Sequence, residues 1–255
     1  MPTIHAPYVF KSHKMQILKI DSAESTNTWV SLNEKDLPSP CLIFCREQTA
    51  GRGQRGNSWE SEPGKNITAS LLFHPEEFPA QKQFLISEAV ALGIVDFLKD
   101  YGIIAKVKWP NDIYVGEKKI CGILVEHVVV GKHITRTIAG VGININQTLF
   151  LSDAPNPVSL RMLTGKNYDL NESIEKLAIY LEKNLGLTGD RDAIHNSFLE
   201  SLWRYDGGEY DFYDRKKEQQ IRARVKTVSP EGILSLTIQD GETRDYSFKE
   251  VEFIL

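Results

Sequence analysis

Three stretches of the chain combine residue types that grip anions or let a ligand approach the backbone closely. The first is Gln48-Thr49-Ala50-Gly51-Arg52-Gly53-Gln54-Arg55-Gly56-Asn57-Ser58-Trp59. Its glycines let the backbone fold over a ligand, and Arg52 and Arg55 offer guanidinium forks for carboxylate or phosphate oxygens. Trp59 adds a flat face for a purine or an apolar tail. Gly51, Gly53 and Gly56 also satisfy the G-x-G-x-x-G spacing of dinucleotide sites. That fingerprint must open a helix whose N-terminus receives the pyrophosphate. Here Pro63-Gly64 follows, without apolar periodicity, so the segment reads as a phosphate clamp in a long loop from Gln48 to Asn66.

The second stretch is Lys106-Val107-Lys108-Trp109-Pro110-Asn111-Asp112. Strand alternation puts Lys106 and Lys108 on one face and Trp109 on the other. A compact ammonium there suits an α-phosphate or a substrate carboxylate, where it can neutralise charge developing in a transition state. Asn111 and Asp112 are candidates to orient a ribose or phosphate, with Asp112 the candidate nearest a magnesium ion. The third stretch pairs Gly122-Ile123-Leu124-Val125-Glu126 with Gly140-Val141-Gly142-Ile143-Asn144-Ile145-Asn146. Glycine inside a strand weakens packing unless something approaches the backbone, so a bound ligand or a β-bulge is expected at Gly122, Gly140 and Gly142. Asn144 and Asn146 share a strand face and can hydrogen-bond a base or ribose.

The elements that must position these residues follow from periodicity. Strands are expected at Met15–Ile20, Cys41–Arg46, Ile67–Phe73, Ala105–Trp109, Asp112–Val115, Ile120–Val129 and Ile134–Ile145. Ser25-Thr26-Asn27 caps a short helix reaching about Asp36, and Gln83–Tyr101 is the strongest helix. In it Phe84, Ser87/Glu88, Ala91, Ile94/Val95 and Leu98 recur at helical spacing. Two more helices are expected near Asn171–Leu185 and Asp192–Tyr205. Asp206-Gly207-Gly208 marks a boundary, followed by strands at Arg222–Val228, Ile233–Gln239, Arg244–Phe248 and Val251–Leu255. The reading is α+β: a mixed, largely antiparallel sheet with packed helices over residues 1–206, then a small β-barrel module over 207–255.

Composition limits the partners. Thirty Lys and Arg against thirty-four Asp and Glu leave a net charge of −4, whereas a dedicated nucleic-acid binder usually carries a basic excess. Cys41, Cys45 and Cys121 form no C-x-x-C pair, and Cys41 and Cys45 sit roughly 13 Å apart along a strand, too far for a disulfide. No charged-then-apolar leader opens the chain, and no apolar run reaches the roughly 18 residues of a membrane span. A soluble cytoplasmic protein is expected, with neither nucleic acid nor membrane as partner.

Taken together and in this order, the motifs resemble those of the biotin–protein ligase family. Ser25-Thr26-Asn27 resembles the family's early Ser-Thr-Asn, and Gly51 through Trp59 its Gly-Arg-Gly-Arg-Arg-Gly-x-x-Trp loop. Lys108-Trp109-Pro110-Asn111-Asp112, Gly122-Ile123-Leu124-Val125-Glu126 and Gly142-Ile143-Asn144-Ile145-Asn146 resemble the remaining three blocks. The chain departs at Gln54, where an arginine is common, and at Asn57, where a basic residue is frequent. The resemblance implies a class II synthetase-like catalytic domain followed by a small SH3-like β-barrel. It implies that magnesium, ATP and biotin give biotinyl-5′-AMP, and that the acyl group then passes to a lysine of a biotin carboxyl carrier protein.

On that resemblance Ser25, Thr26, Asn27, Gln48, Gly51, Arg52, Gly53, Gln54, Lys108 and Gly122 would hold biotin. Arg55, Trp59, Asn111, Asn144 and Asn146 would hold ATP or the adenylate, with Lys108 and Arg52 catalytic. The family's repressor members carry an N-terminal helix-turn-helix that the residues ahead of these motifs are too few to hold, so operator binding is not expected. A lipoate–protein ligase is the nearest rival, but its Arg-Arg-x-x-Gly-Gly-Gly loop is missing. Monomer and homodimer both remain open.

Overall fold

The computed structural model describes residues 15–152 and 154–255, apart from the side chain of Arg55. The larger sheet has β1 (Gln16–Ala23), β2 (Cys41–Gln48), β3 (Ile67–Phe73), β4 (Phe78–Pro79), β5 (Lys106–Lys108), β6 (Asp112–Val115), β7 (Lys118–Val130) and β8 (His133–Ile143). Its order is β1-β2-β3-β8-β7-β6-β5, with β4 pairing β8. β1 and β2 run parallel and every other ladder is antiparallel, as a mixed, largely antiparallel sheet requires. The helices are α1 (Thr26–Asn33), α2 (Gln83–Lys99), α3 (Leu160–Thr164), α4 (Leu170–Gly186) and α5 (Arg191–Glu200).

Alternation explains why the central strands are apolar throughout. Cys41 and Ile43 pack with Val30 of α1, Leu72 and Ile138 on one face. Leu42, Phe44, Leu71 and Phe73 join the larger core beneath α2 and α4 on the other. A strand covered on both faces loses its polar alternation. α1 starts where expected because the Ser25 side chain caps the Thr28 N–H. α2 and α4 approach closely at Gly93, where a Cβ would stand 3.1 Å from both Leu181 Cδ2 and Tyr180 O.

Several boundaries differ from expectation for identifiable reasons. α5 stops at Glu200 rather than Tyr205, because the next residues extend along the free edge of β5. Val107 N–H donates to Ser201 O, and Trp203 N–H donates to Val107 O, both at 2.8 Å. An edge strand left bare would expose those groups. β8 ends at Ile143, so Asn144 and Asn146 lie beyond it rather than on a strand face. α3, capped by Ser159, has no counterpart among the expected elements; at five residues it is too short to show periodicity.

The C-terminal part is a five-stranded antiparallel sheet of β9 (Tyr210–Asp214), β10 (Gln219–Val228), β11 (Leu234–Ile238), β12 (Thr243–Tyr246) and β13 (Val251–Phe253), in the order β12-β11-β10-β9-β13. β9 escapes a sequence reading because it ends on a buried acid. Asp214 accepts from the Tyr246 hydroxyl at 2.8 Å and from the Lys216 and Lys217 N–H groups at 3.0 Å.

Candidate active site

A cavity of about 900 Å³ lies against the larger sheet and collects most of the candidate residues. At one end is a buried polar network. Gln48 Oε1 accepts from the Thr26 N–H at 2.8 Å and from its hydroxyl at 3.1 Å. The Ser70 hydroxyl stands 2.7 Å from Thr26 Oγ1 and 2.6 Å from Asn27 Oδ1. Asn27 Nδ2 donates to Leu124 O and to Glu126 Oε2. Ser25, Thr26 and Asn27 are all buried in the wall. Arg52 closes the network, 2.9 Å from Glu126 Oε1 and 3.2 Å from the Thr28 hydroxyl.

The glycine–arginine segment is a folded hairpin rather than an open loop. Trp59 N–H donates to Gly51 O at 2.8 Å, Gly53 N–H donates to Asn57 O at 2.7 Å, and Arg52 bridges Ser58 antiparallel. The requirement at Gly51 is steric, since a Cβ there would meet Trp59 O at 2.4 Å. Gly53, Gln54, Asn57 and Trp59 line the cavity, whereas Gly51 supports the hairpin from outside the wall. The Arg55 side chain lies outside the described residues.

At the strand glycines no bulge interrupts the ladder, and the protein's own side chains come close to the backbone. Gly122 and Gly142 are direct cross-strand partners in a register that stays regular from Cys121 to Val128. The Trp59 indole lies on them, so that a Cβ would fall 2.4 Å from its ring at Gly142 and 2.9 Å at Gly122. Gly140 makes the same room for Asn27, whose Oδ1 would be 2.5 Å from a Cβ. Missing side chains on β7 and β8 thus seat one aromatic plate and one amide against the sheet.

Lys108 projects from the end of β5 into the cavity wall. Burial pushes its pKa below the ordinary lysine value, with Lys119 and Arg204 adding to the effect and Asp112 opposing it. Its Nζ donates to the Tyr114 hydroxyl at 3.1 Å. Asp112, the candidate for magnesium, is held by Lys119 at 2.7 Å. No three His, Cys, Asp or Glu side chains converge on a point among the described residues, so a preassembled metal centre does not fit the donor set. Asn111 braces β7 through Ile123, donating to its O at 2.7 Å and accepting its N–H at 2.9 Å.

The two asparagines after β8 separate in role. Asn144 stays in the wall; its Nδ2 donates to Val158 O while its Oδ1 is buried without a partner among the described residues. Asn146 does not reach the cavity. Its Nδ2 donates to Tyr168 O at 2.8 Å and its Oδ1 accepts Tyr168 N–H at 2.9 Å, so it braces two loops. The geometry does not place it where a nucleotide would sit, because the Tyr168 backbone uses both ends of its amide.

One wall was not foreseen. Arg215, Phe248, Lys249, Val251, Glu252 and Phe253, from the C-terminal sheet and the turn before β13, line the same cavity. Ser70, Glu126 and Tyr114 were likewise missed as site residues. Glu126 lies in a quoted motif and carries the only charge there, which is the one available signal; Ser70 and Tyr114 sit in apolar strands and carry none.

Comparison with known proteins agrees with this geometry. Residues 19–144 match the model of the biotin/lipoate A/B protein ligase family. The bifunctional ligase/repressor BirA of Bacillus subtilis is 28% identical over 226 residues, covering 85% of this chain and 67% of that protein. The biotin–[acetyl-CoA-carboxylase] ligase of Paracoccus denitrificans is 31% identical over 166 residues, covering 61% and 67% respectively. The structure of the Aquifex aeolicus biotin protein ligase in complex with biotin and ATP superposes with a TM-score of 0.76 at 23% identity, covering 93% of this chain and 97% of that one, a likeness of fold. The chain therefore belongs to the biotin/lipoate A/B protein ligase family, among its biotin protein ligases.

Proposed function

We propose that this chain uses ATP to activate biotin as biotinyl-5′-AMP and transfers the biotinyl group to a lysine of a biotin carboxyl carrier protein. The observation that carries the reading is Lys108: a half-buried ammonium with no salt bridge to a carboxylate among the described residues, in the same cavity as the Thr26–Gln48–Asn27 network. In the first step a biotin carboxylate oxygen attacks the α-phosphorus of ATP and pyrophosphate leaves. In the second, the carrier lysine amine attacks the acyl carbon, AMP leaves, and an amide remains. Neither step needs a protein nucleophile. Proximity and neutralisation of the negative charge gathered on carboxylate and α-phosphate supply the rate.

In this reading Ser25, Thr26, Asn27 and Gln48 present polar groups to the ureido head, beside Gly53 and Gln54. Gly122 and the Trp59 plate shape the apolar part of the pocket, and Lys108 faces the reacting anions. Arg52 exchanges its contact with Glu126 for the incoming carboxylate. Asn144, with its unpartnered Oδ1, offers an acceptor to a base amine. Magnesium arrives on the ATP phosphates as part of the substrate. The Paracoccus relative's name makes the carrier domain of acetyl-CoA carboxylase the first candidate acceptor. The C-terminal sheet is read as the SH3-like module of such ligases. The three buried, unpaired thiols support a reducing, cytoplasmic setting, and no helix among the described residues is long and apolar enough to cross a membrane.

The test is intact-mass analysis of a carrier domain incubated with the chain, MgATP, and either biotin or lipoate. A biotin-sized increment is expected, and Lys108→Ala should slow adenylate formation about 10²–10³-fold, by analogy with a lost oxyanion donor. An increment with lipoate alone, or none, overturns the reading.

A further inference from the structure

Three other cations lining the cavity are matched with acids: Arg52 with Glu126, Lys119 with Asp112, and Arg215 with Glu252. Lys108 is matched instead with aromatic rings. Its Nζ lies 4.7 Å from the Tyr114 ring centroid, 5.6 Å from that of Phe253 and 5.8 Å from that of Trp203. The rings come from three separate parts of the chain: β6, the edge-covering segment after α5, and β13 of the C-terminal sheet. They also touch one another, Tyr114 to Trp203 at 5.2 Å and Trp203 to Phe253 at 5.6 Å. Arg204 secures the group from behind. Its guanidinium lies 4.0 Å from the Trp203 centroid and donates to Ile254 O at 2.9 Å, next to Phe253.

The difference between a ring and a carboxylate matters here. A carboxylate neutralises an ammonium and must be displaced before an anionic ligand benefits from the charge. Aromatic faces attract the cation through their quadrupole yet leave its charge uncancelled. We propose that Phe253 and Trp203 are positioning residues that hold the Lys108 ammonium toward the cavity through cation–π contact. The C-terminal sheet thereby takes part in adenylate formation by completing the cage around the reacting cation. This rests on the function proposed above for the step affected, though not for the cage itself. Charged and titratable groups acting on Lys108 are Asp112 and Tyr114 on β6, Lys119 on β7, and Glu117 and Arg204 in the flanking turns.

The test uses the full chain with Phe253→Leu, which removes the ring but keeps apolar bulk, and Phe253→Tyr, which keeps the ring. Without substrates, the pH midpoint for acylation of Lys108 by acetic anhydride is read by peptide mass. Loss of the ring should lower that midpoint by about half a pH unit, the size of one modest cation–π contact, and Phe253→Tyr should restore it. In biotin-dependent exchange of labelled pyrophosphate into ATP, Phe253→Leu should lower kcat by about tenfold while KM for biotin stays within about twofold, the pattern of an interaction made in the transition state. Wild-type midpoint and kcat in Phe253→Leu would overturn the proposal. Equal losses in the Leu and Tyr variants would do the same, because the ring would then not be the relevant property. If the wild-type chain shows no biotin-dependent exchange, the functional reading fails, and the acylation arm still decides the cage.

Discussion

At the scale of single residues, glycine carries the most information and the least self-explanatory kind. Gly122, Gly140 and Gly142 announce a close approach within strands, yet residue type cannot name the visitor. The visitors are Trp59 and Asn27, more than 60 residues away in sequence in each case. Gly142→Ala would place a methyl 2.4 Å from the indole. Overpacking of this kind costs about 1–3 kcal/mol, and the indole must leave its seat. Adenylate formation should therefore fall by an order of magnitude or more, while thermal unfolding shows only a modest loss; full activity in this variant would show that the plate is dispensable. Asn144 and Asn146 teach the complementary lesson. They are identical in type and two residues apart, and only the Tyr168 backbone facing one of them decides that it is a brace.

At the scale of elements, periodicity is legible wherever one face is buried and loses resolution where chain edges are covered. The rhythm of α2 already puts Glu88 among its apolar positions, and the structure buries it there with the His195 ring nitrogen 2.7 Å away on α5. Burial pushes the Glu88 carboxyl up to about 7, against the opposing pull of His195 and Arg191. The folded state then binds this proton more tightly than the unfolded chain, whose carboxyl titrates near 4.5. The stability it contributes is present in full below that lower value and is lost as pH rises through about 7. Denaturant unfolding at pH 5 and pH 8 measures this. Glu88→Gln should remove up to about 2.5 kcal/mol of the fall between those conditions; an unchanged fall would locate the proton elsewhere. The covering of β5 by residues 201–203 was hidden for the opposite reason. It is one backbone pairing between distant segments, with no repeat to betray it.

At the scale of the whole molecule, turn residues suggest a boundary near Asp206-Gly207-Gly208, but no local signal announces the contacts that cross this point. Trp109 Nε1 donates to Gly232 O at 3.0 Å, and Phe248 packs edge-on against Trp109 and tilted against Phe84. Single apolar residues on two well-separated segments leave no local pattern. Gly232 is the narrowest point of this contact, with φ +89° and room for a Cβ only 2.7 Å from the Phe84 ring. Gly232→Ala should destabilise the chain by about 1–3 kcal/mol through backbone strain and overpacking. It should also raise the KM for ATP, since the same sheet walls the cavity, and limited proteolysis should release the C-terminal part faster. Unaltered proteolysis and kinetics would mean the two parts are only loosely apposed.

That shared wall also sets a timetable for the nascent chain. Lys108 and the sheet around it leave the ribosome long before Phe248, Val251 and Phe253, which close the cavity. At about 5–20 residues per second, several seconds separate the emergence of Trp203 from that of Phe253. Throughout that interval the wall supplied by Phe248, Val251 and Phe253 is not yet available to the cavity. An acyl-adenylate needs a site closed to water, so a cavity walled in part by the last strand is complete only when synthesis is nearly finished.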